Sequence, residues 1–169
     1  MMNKLEAIEF LSKYQPLPDD DKLTKEIIDN YDAVRKYFKD NPDEECVPLF
    51  LNSFGYVSGF GVYQLIEDVI RLFDKDKVIP HLKQALSSQY RGVRYWNTQI
   101  AAIFPDNELI QELGNRLKED DFDMRYAAIT ALEQVGGLEV KTLFKYALDK
   151  EDEEELKELL SEAIKNISK

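Results

Sequence analysis

The chain has 169 residues, 44% of them hydrophobic and 33% charged, with only 7 Gly and 6 Pro, which suits one domain or a short solenoid and argues against a turn-rich all-β fold. Its formal net charge of −11, from 33 acidic and 22 basic residues, denies it the basic face that nucleic acid and anionic membranes require. Cys46 is the single cysteine, so no internal disulfide is possible, and no apolar run approaches the ~20 residues of a membrane span.

In chain order, Met1 to Glu6 lack the basic-then-apolar order of a signal peptide, which points to a soluble, cytoplasmic protein. Residues 3–14 predict a helix with Leu5, Ile8 and Leu11 on one face. Pro16 and Pro18 break the chain. Asp19, Asp20 and Asp21 then place negative charge ahead of a second helix, whose apolar line is Leu23, Ile27, Tyr31, Val34 and Phe38. These helices, residues 1–42, are expected to cap a continuous domain running from 43 to 169, because an open solenoid end exposes core. Cys46 reads as a small buried residue at a helix start. Residues 55–61 carry Gly55, Gly59 and Gly61, but no Lys follows, so the pattern of a phosphate-binding loop fails. The expectation is a flexible turn, with Tyr56 and Phe60 tucked against the helices.

From there a repeat organises the chain. Arg94 and Arg125 stand 31 positions apart, as do Tyr95 and Tyr126. Val47, Val78, Leu109 and Val140 form a second series of the same period, followed four residues later by Leu51, Leu82, Leu113 and Phe144. Leu86, Leu117 and Leu148 complete it. A spacing of four within each segment is one face of a helix. Polar turns at 87–91, 119–123 and 150–153 separate the helices, and Pro105 and the Gly136-Gly137 pair end two of them. The prediction is an all-α chain: an α-α superhelix, or solenoid, of about four 31-residue helix-turn-helix repeats with N-terminal capping helices.

This pattern resembles the HEAT-like repeat family of the phycobilisome-lyase type, as found in small bacterial proteins. The matching residues are Val93-Arg94 and Met124-Arg125 after polar turns, the small-then-large series Ala128, Ile129, Ala131, Leu132 and Val135, and Pro80 in a first helix. The match spans about residues 43 to 167, with Tyr63 standing where the family favours Arg. The resemblance implies that second helices line a concave face. Residues there not assigned to core are Gln64, Asp68 and Arg71, then Tyr95, Trp96 and Gln99, then Tyr126, Thr130 and Glu133. Trp, Tyr and Arg dominate binding energy at interfaces; the competing reading packs Trp96 between repeats. Arg94 and Arg125 are expected to bond across the turns to acidic groups such as Glu119 or Asp120.

No catalytic, cofactor or metal motif stands out. His81 is a lone histidine, and Glu67-Asp68 are neighbours that do not face each other on a helix. The acidic residues 151–155 suit a solvated turn and helix start. The expected function is a non-catalytic protein-binding module, in its most concrete form an immunity protein neutralising a basic toxin domain. The alternatives are a scaffold or adaptor, or a relative of the HEAT-like lyases and glycosylases.

Overall fold

The computed structural model describes residues 1–167, and no β-strand occurs among them. The chain divides into two compact units, Met1–Asn97 and a second that starts at Thr98.

The first unit opens with α1 (Lys4–Lys13) and α2 (Lys25–Asp40). Asn3 starts α1 with a reciprocal cap: its side chain accepts from the Glu6 N–H, and the Glu6 carboxylate accepts from the Asn3 N–H, both at 3.0 Å. The buried face of α1 is Ala7 and Leu11; Leu5, expected on that face, is exposed. Thr24 caps α2 through the Ile27 N–H. Ile28, Tyr31, Val34 and Phe38 are buried as the spacing required, with Ile28 taking the place expected of Ile27. Buried Arg35 is paired with Asp32 at 2.7 Å. After α3 (Cys46–Leu51) the core is aromatic. Tyr31 meets the rings of Phe50 and Tyr63 edge-on at 6.0 and 5.9 Å, and Phe38 meets Phe50 at 5.9 Å. The Tyr31 hydroxyl is satisfied by Ser53 Oγ at 2.6 Å.

Next the chain departs from its own period. The second helix expected to carry Gln64, Asp68 and Arg71 is not continuous. Instead, 3-10 turns at Gly59–Gly61 and Tyr63–Ile66 lead into a single short turn, α4 (Glu67–Ile70). The period resumes with α5 (Lys75–Ala85) and α6 (Arg91–Ala101), the boundary between the units falling inside α6. Pro80 lies inside α5 with its ring exposed, so the donor that it removes is on the solvent side.

The second unit contains a 3-10 turn (Asn107–Leu109), α7 (Ile110–Arg116), α8 (Phe122–Val135), α9 (Gly137–Lys150) and α10 (Glu154–Ile167). Asp121 caps α8 through the Met124 N–H at 3.0 Å. Gly136 ends it with φ +70, a conformation that glycine adopts freely, and its N–H closes on the Leu132 carbonyl at 2.9 Å. Helix α8 packs on α7, α9 and α10, and its Ala127, Ala128 and Ala131 are buried, small enough for such neighbours. Val47, Val78, Leu109 and Val140 are fully buried, and so are Leu51, Leu82, Leu113 and Phe144; in the third series Leu86 and Leu117 are buried and Leu148 is half-buried. A side chain deleted from such a position leaves a cavity as well as lost burial.

Candidate functional site

Helix α8 buries Met124, Ala127, Ala128, Ile129, Ala131 and Leu132, and the large side chains outside that face are informative. Tyr126, Thr130 and Glu133 lie at helical spacing along one line. Tyr126 is 40% exposed. Thr130 is half-buried and donates its hydroxyl to the Tyr126 carbonyl at 3.1 Å, while Glu133 accepts from Asn166 at 2.7 Å. In the same unit Gln99 is exposed.

In the first unit Gln64, Asp68 and Arg71 are exposed. They stand on 3-10 and single-turn segments rather than on the continuous helix expected for them. Arg71 is paired with Glu67 at 2.6 Å, and Asp68 faces Lys39 at 3.8 Å. Tyr95 and Trp96 are half-buried near the start of α6. The Trp96 ring lies 6.0 Å from both Phe54 and Tyr63, and its indole N–H donates to the Val57 carbonyl at 2.9 Å. Trp96 therefore serves the packing of its unit. Tyr95 carries the Arg91 guanidinium 4.7 Å from its ring centre.

The arginines of the repeat obey the period down to a single bond. Arg94 Nη1 donates to the Ser88 carbonyl at 3.1 Å, and Arg125 Nη1 donates to the Glu119 carbonyl at 3.0 Å. Each thus ties the start of its helix to the backbone of the preceding turn; the acidic partner expected for Arg125 is Glu151 rather than the Glu119 or Asp120 side chain. Arg125 also reaches forward, with Nε and Nη2 on the Glu151 carboxylate at 3.1 and 3.2 Å. That carboxylate further accepts the N–H groups of Asp152 and Glu153. Burial opposes its charge, but the Glu153 N–H, Arg125 and the Asp152 N–H outweigh burial and hold its pKa below the usual glutamate value. Glu151 is thus a structural ligand of Arg125 rather than part of a solvated acidic run. Beside this pair lies a cleft of about 390 Å³ with Ile129, Leu143 and Leu160 among its lining.

Residues 55–61 are ordered by named partners, and Tyr56 and Phe60 project outward, 50% and 59% exposed, rather than being tucked in. Asp20, expected to serve the second helix, instead accepts from the Ser58 and Gly59 N–H groups at 3.2 and 2.9 Å. Nothing in the local sequence announces that bond; the glycines mark only that an unusual backbone is possible there.

Cys46 is fully buried, and burial together with the Asp43 charge pushes its thiol up to about 12, which suppresses thiolate chemistry. Among the described residues no group of three or more His, Cys, Asp or Glu could hold a metal ion, and no helix is long and apolar enough to cross a membrane.

A family model described as HEAT repeats matches residues 71–165, more than half of the chain. The chain belongs to the HEAT repeat family. None of the curated proteins compared matches it. HEAT repeats generally serve as protein-interaction or scaffold modules, and the match covers the regular stretch of this chain from the end of α4 to α10.

Proposed function

We propose that this HEAT repeat chain is a non-catalytic module that holds one protein partner against the outward side chains of its second helices, and that the partner is basic. The reading rests chiefly on α8: beside a core face of Met124, Ala127, Ala128, Ile129, Ala131 and Leu132, the helix keeps a large aromatic, Tyr126, at 40% exposure on a line with half-buried Thr130 and Glu133. The net charge of −11 supports a basic partner, whose approach such a field accelerates. The most specific form of the proposal is an immunity protein that neutralises a basic toxin domain in the cytoplasm. In that form Gln64, Asp68, Arg71, Tyr95 and Gln99 add to the contact, whereas Trp96 acts through packing. Residues 1–42 cap the repeats of 43–169, a role supported by the packing of Tyr31 and Phe38 on Phe50.

Affinity purification from the source cells tests this with the wild type and a Tyr126→Ala/Thr130→Arg variant. The expected result is one stoichiometric basic protein that the variant fails to retain while its circular dichroism is unchanged. Retention of that protein by the variant moves the contact off α8. Many substoichiometric partners in place of one would sink the dedicated-partner reading in favour of an adaptor.

A further inference from the structure

Residues 55–61 hold a conformation that their own side chains resist. Val57 has φ +82 and Phe60 has φ +51. The left-handed region is uncommon for any residue with a side chain, and a β-branched residue there is a genuine outlier. No core burial compensates for it. Val57, Phe60 and Tyr56 are 51%, 59% and 50% exposed.

The conformation is imposed from outside the segment. The Asp20 carboxylate holds the Ser58 and Gly59 N–H groups, and the Trp96 indole holds the Val57 carbonyl. The Gly55 N–H donates to the Tyr63 hydroxyl at 3.0 Å. The Gly55 backbone also lies so close to Gly92 that a Cβ on Gly92 would sit 2.0 Å from the Gly55 oxygen. Strain that persists because its surroundings over-determine it gathers at ligand clamps and binding loops. Beside the loop is a hollow of about 230 Å³, walled by Tyr56, Tyr90, Arg91 and Asp19, with Gly55 and Gly92 in its lining. The Arg91 guanidinium rests 5.3 Å from the Tyr56 ring centre. Asp19, which lines the hollow, and Asp21 stand exposed on either side of Asp20 in the sequence, on a chain of net charge −11.

We propose that residues 55–61 form a preorganised docking site for an extended protein segment whose apolar side chains pack on Val57 and Phe60, one entering the adjacent hollow, and whose lysines or arginines face Asp19 and Asp21. Preorganisation is what the strain supplies, since a loop already fixed loses little freedom on binding. The complementary charge selects a basic segment over an acidic one. This inference rests on the reading of the chain as a protein-binding module, but places a contact away from α8.

The test uses the full chain as bait for a displayed library of random dodecapeptides, followed by synthesis of the enriched sequences and titration monitored by Trp96 fluorescence. Enriched peptides are expected to combine apolar residues with Lys or Arg. A Val57→Asn/Phe60→Asn variant is expected to bind them about tenfold more weakly or worse, a change of about 1.4 kcal/mol. Asn tolerates positive φ, so that variant should melt no lower than wild type, which separates lost contact from lost fold. An Asp19→Asn/Asp21→Asn variant, which replaces two exposed carboxylates by amides of the same shape, should also weaken binding. The Tyr126→Ala/Thr130→Arg variant should bind as wild type does. Full binding by the loop variant, enrichment of acidic peptides, or no enrichment at all would each overturn the inference. Peptides lost only by the α8 variant would overturn it while leaving the protein-binding reading intact; that reading stands or falls on the cellular partner tested above.

Discussion

Arg125 and Glu151 connect successive turns of the second unit, and both are largely buried, with side chains 16% and 8% exposed. Because the folded pKa of Glu151 is depressed, the pair contributes stability that is fully present above the ordinary glutamate value of 4.5 and is lost as pH falls through the lower folded value. Glu151→Gln is therefore expected to cost about 2 kcal/mol at neutral pH, since it leaves a buried guanidinium with a weaker partner. The same variant should show a shallower loss of stability below pH 4.5; denaturant titrations from pH 7 to pH 3 measure both effects. An acid limb identical to wild type would show that other carboxylates govern it. Gly92 makes an independent residue-scale prediction. A Cβ there would lie 2.0 Å from a backbone oxygen, which no rotamer change can relieve. Gly92→Ala should lower the thermal midpoint by roughly 10 °C or more, or prevent folding, placing it among the exceptionally costly substitutions.

At the scale of elements, the helix ends carry a separable share of stability. Asn3→Ala removes one half of the α1 cap and should cost about 1 kcal/mol. Gly136→Ala forces a Cβ into φ +70, ψ −165, a region essentially reserved for glycine, and should cost about 1–3 kcal/mol for backbone reasons alone, because its space is open. Both fall below Phe144→Ala, which empties a fully buried periodic position of α9 and should cost about 3–5 kcal/mol. Urea denaturation of the three variants ranks them. Were Gly136→Ala to rival Phe144→Ala, the α8–α9 junction and not the periodic core would be the main determinant of that unit.

At the scale of the whole molecule, the excess of 33 acidic over 22 basic residues opposes compaction through self-repulsion. Raising ionic strength from about 0.01 M to 0.15 M shortens the screening length from about 30 Å to 8 Å. The thermal midpoint of the isolated chain should therefore rise by a few degrees over that range, whereas the association rate with a basic partner should fall. Differential scanning calorimetry in graded NaCl and stopped-flow mixing with the purified partner follow the two. A midpoint that falls with salt would mean that local ion pairs, such as those of Arg125 and Arg35, outweigh the net repulsion.

The 31-residue period was legible because it is a demand that each helix makes separately: bury one stripe, every turn, against a neighbour. Any chain meeting it repeatedly must place apolar residues at Val47, Val78, Leu109 and Val140, and these are buried. The α8 boundaries were legible for the same local reason, through the polar turn at 119–123, in which Asp121 is the cap, and the Gly136-Gly137 stop. The candidate line of Tyr126, Thr130 and Glu133 followed from the period and from what the core left over. What local pattern could not decide was every feature made by residues far apart in the chain. Residues 61–70 have helical spacing, yet Asp20, 38 positions before Ser58, and Trp96, 39 positions after Val57, fix the segment just before them in another conformation. The sequence left Trp96 between a groove contact and packing, and its partners Phe54, Tyr63 and the Val57 carbonyl come from tertiary structure; Leu5 looked buried until α1 turned Ala7 and Leu11 inward. Periodicity reports which face of a helix prefers to leave water; only tertiary contact decides which backbone is held, by what, and which apolar side chains are left facing outward.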